Sequence, residues 1–168
     1  MSKTLILSLT IAAVVTGPSY VLAKDQPNQA FIKKAIEGNL AEVAVGQLAQ
    51  QKGSSDGVKS FGRQLETDHS TANQKAISVA TSLNVMPPGE PNKQQKEIHQ
   101  KLSRLSGAAF DREFVKNMVT DHKKDIAEYE KEAKRQNDPA ATYASETLPT
   151  LHNHMQMVQS LENPPKTQ

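Results

Sequence analysis

The sequence predicts an all-α fold, a four-helix bundle assembled from two αα-hairpins. Three observations predict it. Apolar residues recur at three- and four-residue steps through most of the chain, a proline-rich break separates those stretches into two pairs, and one short segment occurs twice. Composition agrees: there is no cysteine and no tryptophan, and aromatic residues make up 4%. Disulfides are therefore excluded, stacking platforms for sugars or bases are disfavoured, and the core has to be Val, Leu, Ile, Met and Ala packed between helices.

The first predicted helix runs over Gln29–Gln51, where Phe31, Ile32, Ala35, Ile36, Val43, Val45, Leu48 and Ala49 keep helical spacing. Gly53-Ser54-Ser55-Asp56 supplies a stop and then capping side chains. A second helix follows over Asp56–Leu83, with Val58, Phe61, Leu65, Ala72, Ala76, Val79 and Leu83 on one seam. Asn84–Pro91 holds three prolines, which remove backbone donors and bias the preceding residues away from the helical region, so it reads as the long connector. A short polar helix is expected over Lys93–Leu105. The third long helix spans Ala108–Gln136, with Phe110, Phe114, Met118, Ile126, Tyr129 and Ala133 in register. Asn137-Asp138-Pro139 restarts the chain with an Asp cap and a proline at the first helical position. The fourth long helix reaches Leu161 and carries Pro149 internally, which predicts a kink and a freed carbonyl at Ser145.

The two ends read differently from the middle. Lys3, the apolar run Leu5–Val15 and the small-residue site Val21-Leu22-Ala23 form an export signal, so residues 1–23 are expected to be a signal peptide cleaved after Ala23. An uncleaved anchor is the rival, but Ser8, Thr10, Gly17 and Pro18 interrupt the run short of the ~20 apolar residues a spanning helix needs. Residues 24–162 are then the bundle domain and 163–168 a disordered tail. The expected location is the periplasm or cell envelope, with no transmembrane helix after cleavage. The formal net charge is +2, with lysines interleaved among acids, so no nucleic-acid partner is expected.

Phe61-Gly-Arg-Gln-Leu-Glu-Thr-Asp-His69 and Phe114-Val-Lys-Asn-Met-Val-Thr-Asp-His122 form an internal repeat, and each copy fits one helix of a hairpin. This is the layout of ferritin-like four-helix bundles. His69 and His122 both lie on the apolar seams of their helices, and Glu42 lies on or near the buried stripe of the first helix. An unpaired buried charge is costly, so Glu42 needs a partner or a metal. Counting from the turns at ~1.5 Å per residue puts Glu42, His69, His122 and a histidine of the last helix near one height. That histidine is His154, on the stripe of Leu151, Val158 and Leu161, in preference to His152. Asp68 and Asp121 precede the seam histidines and serve as flanking ligands, hydrogen-bond acceptors or solvated groups. Glu66 completes a Glu-x-x-His pattern with His69, but the repeat has Val119 at that place, so one carboxylate of a di-iron centre is missing. The bland reading is packing histidines in a duplicated segment, Met155 and Met157 as core filler, and the Lys123–Lys134 run as a solvated face. No nucleophile elbow, phosphate-binding loop or serine triad is present.

Gly38-Asn-Leu-Ala-Glu42-Val, Thr67-Asp-His69, Gly107-Ala-Ala-Phe-Asp111, Asp121-His122 and Leu148-Pro-Thr-Leu-His-Asn-His154 together give a family resemblance. The chain resembles the exported bacterial domain-of-unknown-function family four-one-four-two, often labelled outer-membrane or envelope proteins, over about Ala30–Leu161. The resemblance implies a ferritin-like bundle, with Glu42, His69, His122 and His154 at the family's polar motif positions. It supplies no reaction. The leading expectation is a periplasmic protein that binds one divalent ion through those four residues, zinc or copper ahead of iron or manganese. Metal buffering, sensing or stress protection is expected rather than turnover. The alternatives are a metal-free envelope module with a protein partner and, more weakly, a ferritin-like oxidoreductase.

Overall fold

A computed structural model describes residues 26–162, and the expected export signal and disordered tail lie outside the described residues. Five helices follow one another: α1 Pro27–Lys52, α2 Asp56–Ser82, α3 Lys93–Ser103, α4 Gly107–Glu132 and α5 Pro139–Glu162. No helix among the described residues is long and apolar enough to cross a membrane.

Local chemistry sets the boundaries. Ser55 caps α2 by accepting from the Val58 amide. At the other end of α2, Asn84 takes a left-handed φ of 54°, and the Val85 and Asn84 amides donate back to Ala80 and Thr81. That is a Schellman stop, completed by the burial of Val85. Asp138 caps α5 through the Ala140 amide, with Pro139 at the first helical position as expected. α4 ends at Glu132 rather than Gln136, because the chain unwinds into Asn137, whose φ is 53°. α5 continues through Pro149; both Pro149 and Ser145 lie on the exposed face, where water can take the carbonyl bond that proline cannot.

α1 packs along α2 and α4 along α5, while the two hairpins close through α2 against α5 and α1 against α4. The apolar core is in two parts. One holds Phe31, Ile32, Ile36, Ala76, Ala80, Tyr129, Tyr143 and Leu151. The other holds Val45, Leu48, Phe61, Leu65, Phe110, Phe114, Met118 and Val158. Each long helix passes from one part to the other, α1 and α5 in one direction and α2 and α4 in the opposite one. α2 and α4 therefore run parallel, and the chain between them has to travel the length of the bundle. It leaves the first core at Val85 and enters the second at Leu102, with α3 lying against α1 on the way.

Two contacts hold the first hairpin. A Cβ placed on Gly62 would lie 2.7 Å from the Gly46 carbonyl oxygen, and one on Gly46 would lie 2.7 Å from the Gly62 carbonyl oxygen, so α1 and α2 touch backbone to backbone. The α1–α2 turn is tied to α4 by Asp111, whose carboxylate accepts from the Ser54 amide, the Ser54 hydroxyl and the Ser55 amide. Gly62→Ala should lower the unfolding free energy by about 2 kcal/mol, because helix backbones must separate. Gly38→Ala, whose new Cβ would meet nothing nearer than 4.0 Å, should raise it by about 0.5–1 kcal/mol. Urea unfolding of the two variants checks this; effects of the same sign would discount the close approach.

Candidate metal centre

Between the two apolar cores lies a polar layer, to which every long helix contributes at the point where it changes core. α1 brings Asn39 and Glu42 between Ile36 and Val45, and α2 brings His69 between Leu65 and Ala76. α4 brings His122 between Met118 and Tyr129, and α5 brings His154 between Leu151 and Val158. Relative exposures are 4% for His69, 1% for His122 and 0% for His154, so water does not solvate the imidazoles.

One ring nitrogen from each of the three histidines lies within 4.8 Å of those of the other two. Their remaining nitrogens are engaged by oxygen atoms that accept. His122 Nδ1 is 3.1 Å from the Met118 carbonyl, one turn back on its own helix. His154 Nε2 is 2.8 Å from an Asp68 carboxylate oxygen. His69 Nδ1 is 2.9 Å from Asn39 Oδ1, and the Asn39 amide is oriented by donating its Nδ2 to the Tyr143 hydroxyl. These partners favour the tautomers with the proton on the outer nitrogens, which assigns His69 Nε2, His122 Nε2 and His154 Nδ1 as the bare ones in the neutral rings. His69 Nε2 has no hydrogen-bond partner at all. His122 Nε2 and His154 Nδ1 face each other at 3.3 Å, and the assigned tautomers place no proton between them.

Electrostatics keep the rings neutral. Burial, with the neighbouring His122 and His154, pushes His69 well below the usual histidine range. Burial and then His154 take His122 down to about 4, against the opposing pull of the Met118 carbonyl. Burial also lowers His154, outweighing Asp68, which pulls it up. Two lone pairs facing each other at 3.3 Å in neutral rings repel, and a cation between them would relieve that repulsion. That separation is also the N···N span across an ion with bonds of ~2.0–2.1 Å. The outer partners, a carboxylate, a carbonyl and an amide, are the kind that orient metal-ligating histidines.

Glu42 is buried at 2% exposure but stands outside the three-nitrogen set. Its carboxyl lies against Asp121 in a hydrogen bond that needs a proton on one of the two, and Oε2 has no conventional donor. Burial, then Asp121 and Asp125, raise Glu42 well above the usual carboxylate range. Asp68 is a partner of His154 and Asp121 a partner of Glu42. Glu66 accepts from Gln47 and Gln50 at 2.8 and 2.7 Å and ties α2 to α1. His152 is exposed, 4.0 Å from Glu130. Reading the sequence singled out the histidines but gave no role to Asn39, Tyr143 or Asp125. Asn39 lies eight residues after Phe31 and four after Ala35 on the buried stripe, and that placement of an amide was the available signal.

A polar cleft of about 250 Å³ opens between α1 and α4 beneath the start of α3, with Asn39, His69, Asp121, Asp125 and Tyr129 on its walls. A smaller one of about 130 Å³, between α2 and α5, also reaches His69.

Residues 16–161 match the family model described as a domain of unknown function, DUF4142. No curated protein and no solved structure was found to match.

Asp125 gives a test of the cleft's electrostatics. Burial, then Asp121, push its carboxyl up to about 7, against the opposing pull of Lys124. A folded-state value above the unfolded one means its stabilising contribution is complete below about pH 4 and is lost as pH rises to about 7. In chelator-treated protein, Asp125→Asn should leave stability unchanged near pH 4. It should raise stability by about 2 kcal/mol near pH 8, a figure reduced for the partial exposure of the cleft. Denaturant unfolding at both pH values measures this, and a pH-independent difference would count against it.

Proposed function

The chain belongs to the DUF4142 family, and from that premise we propose that it is a metal-binding helical bundle of the cell envelope. It holds one metal ion through His69, His122 and His154 and serves metal buffering, sensing or stress protection rather than turnover. The observation that carries the proposal is the convergence of three buried imidazole nitrogens whose other nitrogens are all anchored. Such a cluster is unfavourable empty and favourable around a cation. Zinc and copper lead among the ions because the donors are imidazoles. Export rests on Lys3, the apolar run Leu5–Val15 and the site ending at Ala23. Burial of the three rings supports binding rather than turnover.

A second reading, a metal-free module, draws on the pairing of His154 with Asp68 and of His122 with a backbone carbonyl. Those bonds use the outward nitrogens, however, and leave the inward ones unexplained.

Elemental mass spectrometry of the untagged mature protein should find about one equivalent of a single metal, lost in His122→Ala. Metal added at about a hundred times Kd should stabilise the stripped wild type by about 2.7 kcal/mol, and the variant by far less. Circular dichroism confirms that the variant remains helical. Absence of metal from the wild type, even after incubation with zinc and copper, would shift the assignment to the metal-free module.

A further inference from the structure

The cleft between α1 and α4 is roofed by a helix whose two ends are fastened very differently. Asn92, Gln94 and Gln95 at the start of α3 stand on its wall, and the same cleft runs in to Asn39 and His69. The far end of α3 is bolted to the bundle. Leu102 is its one buried residue, at 0% exposure, Ile98 and the following Leu105 pack against the second core, and Lys101 pairs with Glu113 of α4.

The near end has no such anchor. Lys93–Glu97 holds no buried residue, and the connector before it carries Met86 at 87% exposure. Beneath it α1 presents Gly38, where an added Cβ would meet nothing nearer than Gln95 Nε2 at 4.0 Å, so no side chains interlock at that point. The hydrogen bond that ties this end to α1 is 3.4 Å long and joins two exposed side chains, Asn92 Nδ2 donating to Glu37 Oε2. Stronger bonds lie within the segment itself: Asn92 caps α3 by accepting from the Gln95 amide, the Gln95 side chain accepts from the Asn92 amide, and Lys96 pairs with Glu90 of the connector at 2.6 Å. The start of α3 is therefore one stiff piece, weakly attached to what lies below it. Local opening is drawn from segments of this kind, with few buried apolar contacts and exposed hydrogen bonds.

Resting on the metal-site reading above, we infer that the first turns of α3, Lys93–Glu97, together with Glu90–Asn92, form a lid over the α1–α4 cleft that controls passage of the ion to and from His69. The lid swings about the Leu102 end, and Asn92 is its latch. It sets rates and not affinity, because none of its residues is among the three nitrogen donors.

The chain has no cysteine, so Gly38→Cys with Gln95→Cys supplies the only two thiols. In the metal-stripped protein they are joined by a short bifunctional thiol reagent, and the control is the same variant with each thiol capped separately. Uptake of Zn(II) and of Cu(II), and release of each to a chromophoric chelator, are followed by stopped flow. Joining the thiols should slow uptake and release by the same factor, at least about tenfold, with the affinity unchanged. Asn92→Ala, which needs no reagent, should speed both about fivefold, the equivalent of one lost helix cap. Rates that the cross-link leaves unchanged, or a change in affinity without a change in rates, overturn the lid and leave the metal site standing. Binding of neither ion overturns both.

Discussion

The structure depends on one constraint: a layer of polar side chains crosses an apolar core, and its members have to meet one another at the same height. Asn39, Glu42, His69, His122 and His154 are all buried, and they come from four different helices. A slip of one helix by a single turn, ~5.4 Å, would leave imidazoles and carboxyls facing leucines and phenylalanines. The two apolar cores supply most of the burial, but they would tolerate small shifts because hydrophobic contacts are not directional. The hydrogen bonds of the polar layer are directional, and they define the register that the close Gly46–Gly62 contact and the Asp111 tie then hold.

That register explains the connection between the hairpins. Since α2 and α4 run in the same direction, an approximate twofold axis along the bundle relates α2 to α4 and α1 to α5. The repeated Thr-Asp-His segments lie on the related pair, and their aspartates do related things. Asp68 reaches across to His154 on α5, and Asp121 reaches across to Glu42 on α1. Glu42 and His154 thus occupy matching places, one with a carboxyl and one with an imidazole. The other two imidazoles, His69 and His122, come from the repeat itself. The asymmetry puts three nitrogens on one side of the layer and a pair of carboxyls on the other.

Helical spacing, the proline connector and the repeat were legible because each is a one-dimensional pattern. Heights could also be counted from the turns, and they brought His69, His122 and His154 to one level. What could not be counted was rotation about each helix axis. A wheel places Glu42 inside, yet a modest rotation decides whether its carboxyl meets an imidazole or Asp121. Asn39 escaped notice for a related reason. An amide on a buried stripe shows its purpose only when both of its partners, His69 and Tyr143, are seen across the layer. The repeat already matched α2 with α4, the second helix of one hairpin with the first of the next, but their common direction was hidden, since a repeat in sequence does not state the direction of its copies.

The three anchoring groups differ in kind, and the difference assigns the histidines unequal parts. Asp68 makes His154 the most electron-rich donor, and the Met118 carbonyl fixes His122 to its own helix, so these two are rigid. His69 is held through a longer chain, Asn39 and then Tyr143, whose hydroxyl stands 3.5 Å from that of Tyr129. It is also the only one of the three that borders both clefts. On the proposed metal reading, an ion entering through either cleft would meet His69 first. His122 and His154, 3.3 Å apart and anchored on their own side of the layer, would then complete the set. Exchange with the exterior and retention in the core would in this way fall to different histidines of the same site.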